Sequence, residues 1–505
     1  MEKKISTKTF VLLFAISIGL ICLGIGSSYA VFTASDEITN PIVFTGLSYD
    51  SDVIETVDVN VPAEETVSTT LNIANDSGIK LNYVVWYLDE GADIDLGTSS
   101  GNTSSSLANG SSTSVIVDIR NNSDESVAVQ IGVMSDNDAI VLDSDMKTVP
   151  NEELSMKVNL VSFMNDLYSS ATKTEVTNNS ITYNYAKIYD TDTDENTSGG
   201  LMNDRLGSSG VGVDAGNIRY YGKTPKNYID IGDSDSEGNV TLWRIIGLFK
   251  NVELSDGTKK DLVKIIRNES IGKYSWDQSP SDVNSGNGIN EWSQADLMKL
   301  LNPEYESEEV GGSLYWNSKS GSCYGYDSTN SVYTSITCDF TNSGLNSNVH
   351  NKIEEVKWNL GGWNSKSIYS NQIYEYERLE NVVQNPNDGV TRKKVWPARV
   401  ALAYPSDYGY AADLDSCGET LNNYSSCTGV NWMRNSVTSN GSGYSWLLTP
   451  DSSAKWRAWY VDGDGSVHHA YGVYNALRVS PVFYLDSALN IVDGEGTATN
   501  PYVLS

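Results

Sequence analysis

The chain has 505 residues, of which 39% are hydrophobic, and its 65 acidic side chains outnumber its 34 basic ones to give a formal net charge of -31 at pH 7. A chain of this length can bury more than one core, so we expect several domains. A protein this acidic is repelled by phosphate backbones, which argues against nucleic acid as a partner.

The first thirty residues have the pattern of an export signal. Three lysines precede the apolar run FVLLFAISIGLICLGIG, and SSYA then places Ser28 and Ala30 at the small-residue spacing that signal peptidase needs. We interpret residues 1–30 as a signal peptide. An uncleaved N-terminal membrane anchor is the alternative, because the run is near the minimum length of a bilayer span. Both interpretations predict an extracellular protein, secreted or on a bacterial cell surface.

Four cysteines follow the signal segment, and they are Cys323, Cys338, Cys417 and Cys427. An even number of cysteines in an exported chain favours two disulfides. Of the three possible pairings we favour the one that closes two short loops, Cys323 with Cys338 and Cys417 with Cys427. A zinc site is disfavoured because the chain contains no CxxC pair.

Residues 31–150 predict an all-β domain. Apolar and polar residues alternate in the segments IVFTGLSYD, ETVDVNVPA, VSTTLNIAND, LNYVVWYLD, TSVIVDIRNN and SVAVQIGVMS. Polar tracts such as GTSSGNTSSSLANGSS are interpreted as loops between strands. Six short strands without a clear helix predict an immunoglobulin-like β-sandwich.

Residues 151–210 are interpreted as a connector. The spacing in MKVNLVSFMNDLYSSA predicts a short helix, and the acidic run YDTDTDENTSGG that follows predicts an exposed loop. The acidic run lacks the glycine and the bidentate acid of a calcium loop, and the similar GDSDSEGN has Arg244 at its twelfth position. We therefore expect no cofactor, with weak calcium binding as the most these loops permit.

Residues 211–505 predict an α+β domain. NIRYYGKTPKNYIDIG and NVTLWRIIGLF predict strands, SQADLMKLLNP predicts a helix capped by Ser293, and NSNVHNKIEEVKWNLGG predicts a second helix. Beyond them WPARVALAYPSDYGY, YSWLLTP, AWYVDG, SVHHAYGV and LRVSPVFYL are strand-like. Two helices inserted among many short strands indicate an α+β arrangement rather than a βαβ repeat.

A series of motifs in this second half carries a family resemblance. YYGKTPKNYIDIG, LWRIIGLF, WSQADLMKLLN, GGSLYW, KWNLGGWN, RVALAYPSDYGYA, SWLLTP, WYVDGDGSV and LRVSPVFYL follow one another in this order. The order resembles that of exported surface proteins of Gram-positive gut bacteria. Their C-terminal module is similar to the C-type-lectin-like fold, in the subgroup of formylglycine-generating enzymes and diversified receptors. The resemblance implies a ligand face near the C-terminal hairpins. The opening SYAVFT, followed by a sandwich, is also similar to the camelysin and TasA group.

The sequence does not favour an enzyme. It has no HExxH and no phosphate-binding glycine loop. Formylglycine-generating enzymes use paired reactive cysteines, but Cys417 and Cys427 lie in a polar loop, where a structural disulfide is favoured. His468 and His469 are adjacent on a strand, so their side chains point to opposite faces and cannot share one ligand. A formylglycine-generating-like enzyme is the least favoured alternative.

The segment KWRAWYVDGDGSVHHAYGVYNA is the candidate binding face. VDGDGSV predicts a hairpin turn, and strands this short cannot bury all of their aromatic rings on one side. Tyr, Trp, Arg, His and Asn on a rigid scaffold are typical of recognition surfaces. The candidate ligand-binding residues are Trp456, Arg457, Trp459, Tyr460, Asp462, His468, His469, Tyr471, Tyr474 and Asn475.

These residues predict a non-catalytic adhesin or receptor that binds an extracellular glycan or protein. The main alternative is a structural subunit of a surface fibre or biofilm matrix, which would self-associate through the sandwich. In that alternative the aromatic hairpin supplies packing and no discrete ligand exists.

Overall fold

A computed structural model describes residues 42–45, 55–75, 80–88, 93–136, 147–149, 158–188, 198–204, 216–278, 286–379, 390–438 and 443–504. The signal segment and the acidic run DTDTDE lie outside the described residues. Within these ranges, no helix combines the length and the apolar character that crossing a membrane requires.

The described chain divides into two compact units. The first unit runs up to Val158 and includes Ile491–Gly494, and the second consists of Asn159–Asn490 and Glu495–Ser505. Strands dominate the secondary structure of both units. The protein is therefore β-rich and has more than one domain.

The first unit consists of two sheets. Its strands are β1 (Ile42–Thr45), β2 (Glu55–Val61), β3 (Thr66–Asn75), β4 (Leu81–Leu88), β5 (Ile94–Ser100), β6 (Ser104–Leu107), β7 (Ser111–Asn121), β8 (Val127–Asp136) and β9 (Lys147–Thr148). One sheet has the order β1-β3-β7-β5, and the other has the order β2-β8-β4-β6 with β9 paired to β4. All pairs with known register are antiparallel except β1 with β3, which is parallel.

Both sheets of the first unit contribute to one hydrophobic core. Leu71 and Val117 come from one sheet, Tyr83 and Ile131 come from the other, and all four are buried in the same cluster. Successive side chains of a strand point to opposite faces, so the alternation in SSTSVIVDIRN directs the apolar residues of β7 inward. The two sheets thus pack as a sandwich around these alternating residues.

All six strands predicted for this region are found, as β1, β2, β3, β4, β7 and β8. The prediction that the polar tract GTSSGNTSSSLANGSS is a loop needs correction. This tract contains the end of β5 and the whole of β6. Backbone hydrogen bonds hold a strand without apolar side chains. Leu96 and Leu107 are enough to anchor these two strands on the core.

The second unit mixes short helices with many strands. Its helices are α1 (Leu160–Ser170), α2 (Asp296–Leu301), α3 (Ser370–Tyr376), α4 (Pro405–Tyr410) and α5 (Met433–Thr438), with 3₁₀ segments at Trp292–Gln294, Ser347–Lys352 and Leu421–Val430. The strands up to the middle of the unit are β11 (Lys173–Asn178), β12 (Ile181–Ala186), β13 (Ser198–Asn203), β14 (Ile218–Thr224), β15 (Tyr228–Asp230), β16 (Trp243–Glu253), β17 (Lys259–Arg267), β18 (Lys273–Ser275), β19 (Ser320–Asp327) and β20 (Val332–Asp339).

The later strands are β21 (Val356–Asn359), β22 (Val395–Ala398), β23 (Val400–Ala401), β24 (Ser445–Pro450), β25 (Arg457–Val461), β26 (Val467–Gly472), β27 (Ala476–Arg478), β28 (Val482–Tyr484) and β30 (Tyr502–Leu504). Two further short strands, β10 (Val158–Asn159) and β29 (Asn490–Asp493), contain the residues at which the division into units falls. Many short strands with α-helices of 6 to 11 residues give this unit its mixed character.

The largest sheet of the second unit includes the order β30-β15-β16-β14-β13-β12-β11. Strand β17 pairs with β16 and β28, and β28 also pairs with β23. The segment interpreted as a connector supplies α1 and the strands β11 to β13 of this fold. Alternation along β11 and β12 places Val176, Tyr183 and Tyr185 in one buried cluster, which explains why this polar segment joins the sheet.

A five-stranded sheet with the order β18-β27-β24-β25-β26 contains the candidate binding segment. Strands β25 and β26 form the hairpin that VDGDGSV predicted, with Val461 opposite Val467. Strands β19 and β20 form a separate two-stranded hairpin, and β21 pairs with β22. This arrangement positions two hairpins for the site described below.

Two predictions of helices need correction. NSNVHNKIEEVKWNLGG forms the 3₁₀ segment Ser347–Lys352 followed by strand β21, not one helix. In β21, Trp358 lies opposite Trp396 of β22, so pairing with a distant strand outweighs the local helical spacing. Ser293 does not cap α2, which begins at Asp296 after Ala295, because Ser293 lies within the preceding 3₁₀ segment.

PSDYGY, predicted as part of a strand, forms helix α4 instead. Pro405 occupies the start of the helix. Backbone N–H groups in this first turn have no partner within the helix, so the N–H that proline lacks is not needed there. The carboxylate of Asp407 accepts the backbone N–H of Tyr404 at 3.0 Å, which closes the first turn. This cap also fixes the direction of the Asp407 side chain.

Both predicted disulfides are present. Cys323 pairs with Cys338 across β19 and β20, with their Cα atoms 5.9 Å apart, and Cys417 pairs with Cys427, with Cα atoms 5.4 Å apart. All four cysteines are buried. Two structural disulfides fit folding in an oxidising compartment.

Candidate functional site

A group of tyrosine rings gathers on the surface of the second unit, and we call it the tyrosine platform. Its rings come from the β19–β20 hairpin, from the residue that precedes β24, from β25, and from β26 and the turn after it. The platform consists of Tyr326, Tyr333, Tyr444, Tyr460, Tyr471 and Tyr474.

One half of the platform is built on the β19–β20 hairpin. Tyr326 and Tyr333 lie directly opposite each other on the two strands, with ring centroids 5.1 Å apart, and Tyr333 meets Tyr474 at 5.8 Å. Gln278 Nε2 donates to the carbonyl of Tyr333 at 2.8 Å, and Ser275 Oγ donates to that of Tyr474 at 2.7 Å. These two bonds tie both backbones to the segment around β18.

The other half is a triangle of rings on the five-stranded sheet. Tyr444 lies 5.7 Å from Tyr460 and 5.4 Å from Tyr471, and Tyr460 lies 5.1 Å from Tyr471. Burial raises the pKa of Tyr471, and the neighbouring phenol of Tyr333 raises it further. Tyr333 belongs to the first half, so the two halves are neighbours on one surface.

The platform rests on a series of edge-to-face aromatic pairs that leads into the core. Tyr471 packs on Trp446 at 6.4 Å, Trp446 on Trp276 at 5.9 Å, and Trp276 on Trp292 at 5.1 Å. Trp446 Nε1 also donates to the carbonyl of Tyr274 at 3.0 Å. Edge-to-face contacts of this kind fix ring orientation, so the sheet half of the platform is held rigidly.

The rim of the platform combines a neutral histidine with carboxylates. His468 lies 5.8 Å from the ring of Tyr460, and its Nε2 lies 3.9 Å from the Asp462 carboxylate. Burial lowers the pKa of His468 and raises that of Tyr460 to about 12, so both rings are uncharged at neutral pH. Asp462 and the exposed Asp464 contribute negative charge to this rim, and Lys366 adds a nearby positive charge.

Two of the predicted ligand-binding residues, Trp459 and His469, lie on the opposite face of the hairpin, away from the platform. Trp459 is completely buried, and its Nε1 donates to the carbonyl of Trp363 at 3.0 Å, so its ring cannot face a ligand. His469 lies 5.4 Å from the Trp459 ring, with Nδ1 3.1 Å from the buried carboxylate of Asp451. As predicted, the adjacent histidines point to opposite faces.

The remaining predicted residues have local roles. The guanidinium of Arg457 lies 4.4 Å from the ring centroid of Trp456, and both side chains are partly buried. Asn475 Nδ2 donates to the carbonyl of Gly472 at 2.8 Å, which stabilises the turn after β26. Of the ten predicted residues, the structure brings together on or beside the platform Tyr460, Asp462, His468, Tyr471 and Tyr474.

Three residues of the platform were missed from the sequence, and they are Tyr326, Tyr333 and Tyr444. The first two lie in YGYDSTNSVY between the paired cysteines, where a disulfide across two alternating strands was the available signal for a hairpin. Nothing in the local sequence places that hairpin beside β26, more than a hundred residues later. Tyr444 precedes the buried Trp446 by two positions, which puts both on the same side of an extended chain.

The acidic loop GDSDSEGN is held by its own backbone. Asp235 Oδ1 accepts the N–H groups of Glu237 at 2.9 Å and of Asn239 at 2.8 Å. Such bonds are typical of an Asx turn. Over the part of the chain that the structure describes, no cluster of three or more His, Cys, Asp or Glu side chains is arranged to hold a metal ion.

A groove of about 260 Å³ lies beside the 3₁₀ segment Ser347–Lys352 and has a mostly polar lining that includes Asp235, Asn317 and Asn342. Its two rings, Trp316 and His350, stack on each other at 4.0 Å, and Trp316 is only 6% exposed. The groove thus presents amides and hydroxyls but little aromatic surface. The platform is the stronger candidate for recognition.

No protein-family model, no curated protein and no solved structure matches this chain. Its function must therefore be inferred from the geometry of the site.

Proposed function

We propose that the protein is an exported, non-catalytic recognition protein that binds an extracellular glycan or protein through the tyrosine platform. The observation that carries the proposal is the convergence of six tyrosine rings from separate segments on one surface. The two-sheet core of the first unit supports an immunoglobulin-like sandwich. The short helices and hairpins of the second unit support a C-type-lectin-like domain that presents the platform.

Two of these rings are well exposed, which supports a binding role, whereas Tyr460 is only 9% exposed. Tyr326 is 45% exposed and Tyr444 is 37% exposed, although both belong to an otherwise well-packed unit. Tyrosine offers a large contact area and loses little conformational entropy when it is fixed. The aromatic pairs beneath Tyr471 have already fixed part of the platform, so less ordering remains to be done on binding.

The charge of the site narrows the class of ligand. The rings are neutral, Asp462 and Asp464 lie at the rim with Lys366 nearby, and the whole chain carries a net charge of -31. Like charges repel across an interface. We therefore propose a neutral or basic ligand, such as an uncharged glycan or a protein with a basic surface, and not an acidic polysaccharide.

The disulfides support an extracellular location. The Cys323–Cys338 disulfide cross-links the hairpin that carries Tyr326 and Tyr333. Because disulfides form in an oxidising compartment, the site itself depends on such a compartment. The export pattern of the first thirty residues agrees with this proposal.

Binding of the whole chain to an array of glycans and cell-surface proteins tests the proposal. We expect Tyr471→Ala and Tyr326→Ala to weaken binding by roughly tenfold or more, as for central aromatic residues of an interface. Tyr305→Ala is the matched control, because Tyr305 is a partly exposed tyrosine of the same unit outside the platform. The control variant should bind like the native chain.

The two arms of the array distinguish the ligand classes. Glycan binding lost in both platform variants identifies a lectin, and protein binding lost in both identifies a receptor or adhesin. Binding that survives both substitutions would refute the platform as the site. A folded chain that binds nothing, but forms polymers as its concentration rises, would support the structural-subunit alternative.

A further inference from the structure

The core of the second unit contains a cluster of charged side chains that the platform does not use. Asp204 follows β13, Arg219 lies on β14, Lys264 on β17 and Asp407 on α4, and none of the four is more than 1% exposed. Arg219 Nε lies 2.7 Å from Asp204 Oδ2, and Arg219 Nη1 lies 2.9 Å from Asp407 Oδ1. The cluster contains two cations and two carboxylates.

Lys264 is in direct contact with Asp407 inside an aromatic cage. Its Nζ touches Asp407 Oδ2, and neither side chain is more than 1% exposed. Four rings surround the Nζ atom, with centroids 4.5 to 5.5 Å away, and they belong to Phe249, Trp358, Tyr404 and Tyr484. An amine and a carboxylate are thus held against each other in a dry site.

The two oxygens of Asp407 are held in different ways. Oδ1 accepts from Arg219 Nη1 at 2.9 Å, whereas Oδ2 touches Lys264 and accepts the backbone N–H of Tyr404 at 3.0 Å. The cap of α4 therefore fixes the carboxylate in front of the amine. A charged donor faces the other oxygen, where negative charge would develop if a nucleophile added to the carboxyl carbon.

We propose that Lys264 and Asp407 condense to form an intramolecular isopeptide bond between Nζ and Cγ. One ammonium proton passes to Oδ2, and the nitrogen lone pair then forms the C–N bond. The negative charge that develops on Oδ1 faces Arg219. A second proton from the nitrogen passes to Oδ2, the C–O bond breaks, and Oδ2 leaves with both protons as one molecule of water. Ammonium and carboxylate give amide and water, so no other reactant is needed.

The charges of the cluster favour this product. Burying an ionised amine and an ionised carboxylate in a dry core carries a desolvation penalty that an amide does not carry. Condensation removes one positive and one negative charge, and it leaves Arg219 paired with Asp204. Burial also lowers the pKa of Lys264 to about 8, although Asp407 opposes this shift, so the amine gives up its proton more readily than an exposed lysine. Burial of Asp407 opposes ionisation, but the charges of Lys264 and Arg219 hold the pKa of Asp407 below its ordinary value, so the transfer of the proton to Oδ2 is the costly step.

The bond would connect two parts of the chain that are 143 residues apart. It would join β17, in the large sheet, to α4. Arg219 in turn connects Asp407 of α4 to Asp204, which follows β13. A covalent bond at this point adds a third cross-link to a unit whose two disulfides close only short loops, with separations of 15 and 10 residues. Unlike the disulfides, an amide persists under reducing conditions.

Peptide mapping of the whole chain by mass spectrometry, after folding, reduction and denaturation, tests the proposal. Trypsin cleaves after a lysine only when its amine is free. We expect no cleavage after Lys264, and a branched species that joins the Lys264 and Asp407 peptides with the loss of one water. Cleavage after Lys264, with linear peptides in protein that had formed both disulfides, would overturn the proposal.

Two substitutions on the same strand make the test specific. Lys264→Arg retains the positive charge but cannot form the bond, so this variant should have the full unreacted mass. Lys260→Arg is the matched control, because Lys260 lies at the surface in an ion pair with Glu354, and it should retain the cross-link. A branched species that persists in Lys264→Arg would place the bond elsewhere and refute this assignment. The peptide map of the native chain decides by itself whether the bond forms. The test therefore still holds if a variant fails to fold.

Discussion

Trp459 is completely buried on one face of the β25–β26 hairpin, whereas Tyr444 is 37% exposed on the platform at its other face. We expect Trp459→Ala to lower the free energy of unfolding by about 3–5 kcal/mol, because it leaves a large cavity. Tyr444→Ala should change it by less than about 1 kcal/mol, since little of its contact area is lost from the core. Denaturant unfolding of the two variants checks this, and similar losses for both would contradict the assigned faces.

The buried pair of Asp277 and Asp296 predicts a dependence of stability on pH. Asp296 Oδ2 accepts the N–H of Gln278 at 2.8 Å, and burial, followed by the charge of Asp277, raises the pKa of Asp296 above its ordinary value of 3.8. The folded state therefore holds a proton that the unfolded state releases. The protonated Asp296 carboxyl therefore contributes to the free energy of unfolding at low pH, and this contribution is lost as the pH rises above about 4.

Asp296→Asn removes this titration. The melting temperature of the native chain should fall more steeply between pH 4 and neutrality than that of the variant, as measured by calorimetry at a series of pH values. Asp261→Asn is a suitable control, because it makes the same chemical change at a side chain that is 37% exposed in a surface ion pair with Lys250. Parallel slopes for the native chain and Asp296→Asn would show that the buried carboxyl does not titrate as described.

The β19–β20 hairpin is the element on which half of the platform depends. We expect the double substitution Cys323→Ser and Cys338→Ser to loosen it, because a cross-link over 15 residues is worth roughly 3 kcal/mol in the loop-entropy account. Hydrogen exchange should become faster across residues 320–339, where Tyr326 and Tyr333 lie. The corresponding double substitution of Cys417 and Cys427 should leave exchange in this hairpin unchanged.

At the scale of elements, local patterns predicted pairing strands better than short helices. β7 and the β25–β26 hairpin follow from alternation and turn residues, which are properties of neighbouring positions. Helix α4 was missed because PSDYGY is only six residues long and follows a strand-like run. The proline at its first position, which is a signal for a helix start, was therefore overlooked. Strand β6 was missed because its serines pair through the backbone with β4.

At the scale of the whole molecule, the first unit has a core of its own, in which Leu71 is completely buried. We expect Leu71→Ala to destabilise that unit by about 2–5 kcal/mol. Calorimetry should show the heat absorption of the first unit at a lower temperature, while that of the second unit stays in place. A uniform shift of the entire profile would instead indicate that the two cores unfold cooperatively.

The sequence by itself determined the export pattern, the acidity, six strands of the first unit, the local disulfides and the aromatic hairpin, because each depends on composition or on residues close together in the chain. Only the tertiary structure decided which rings are exposed, since Trp459 is completely buried whereas Tyr444 is 37% exposed. It also brought Tyr333 to Tyr474 and Lys264 to Asp407. Contacts between distant segments depend on how whole sheets pack, and no local pattern records that packing.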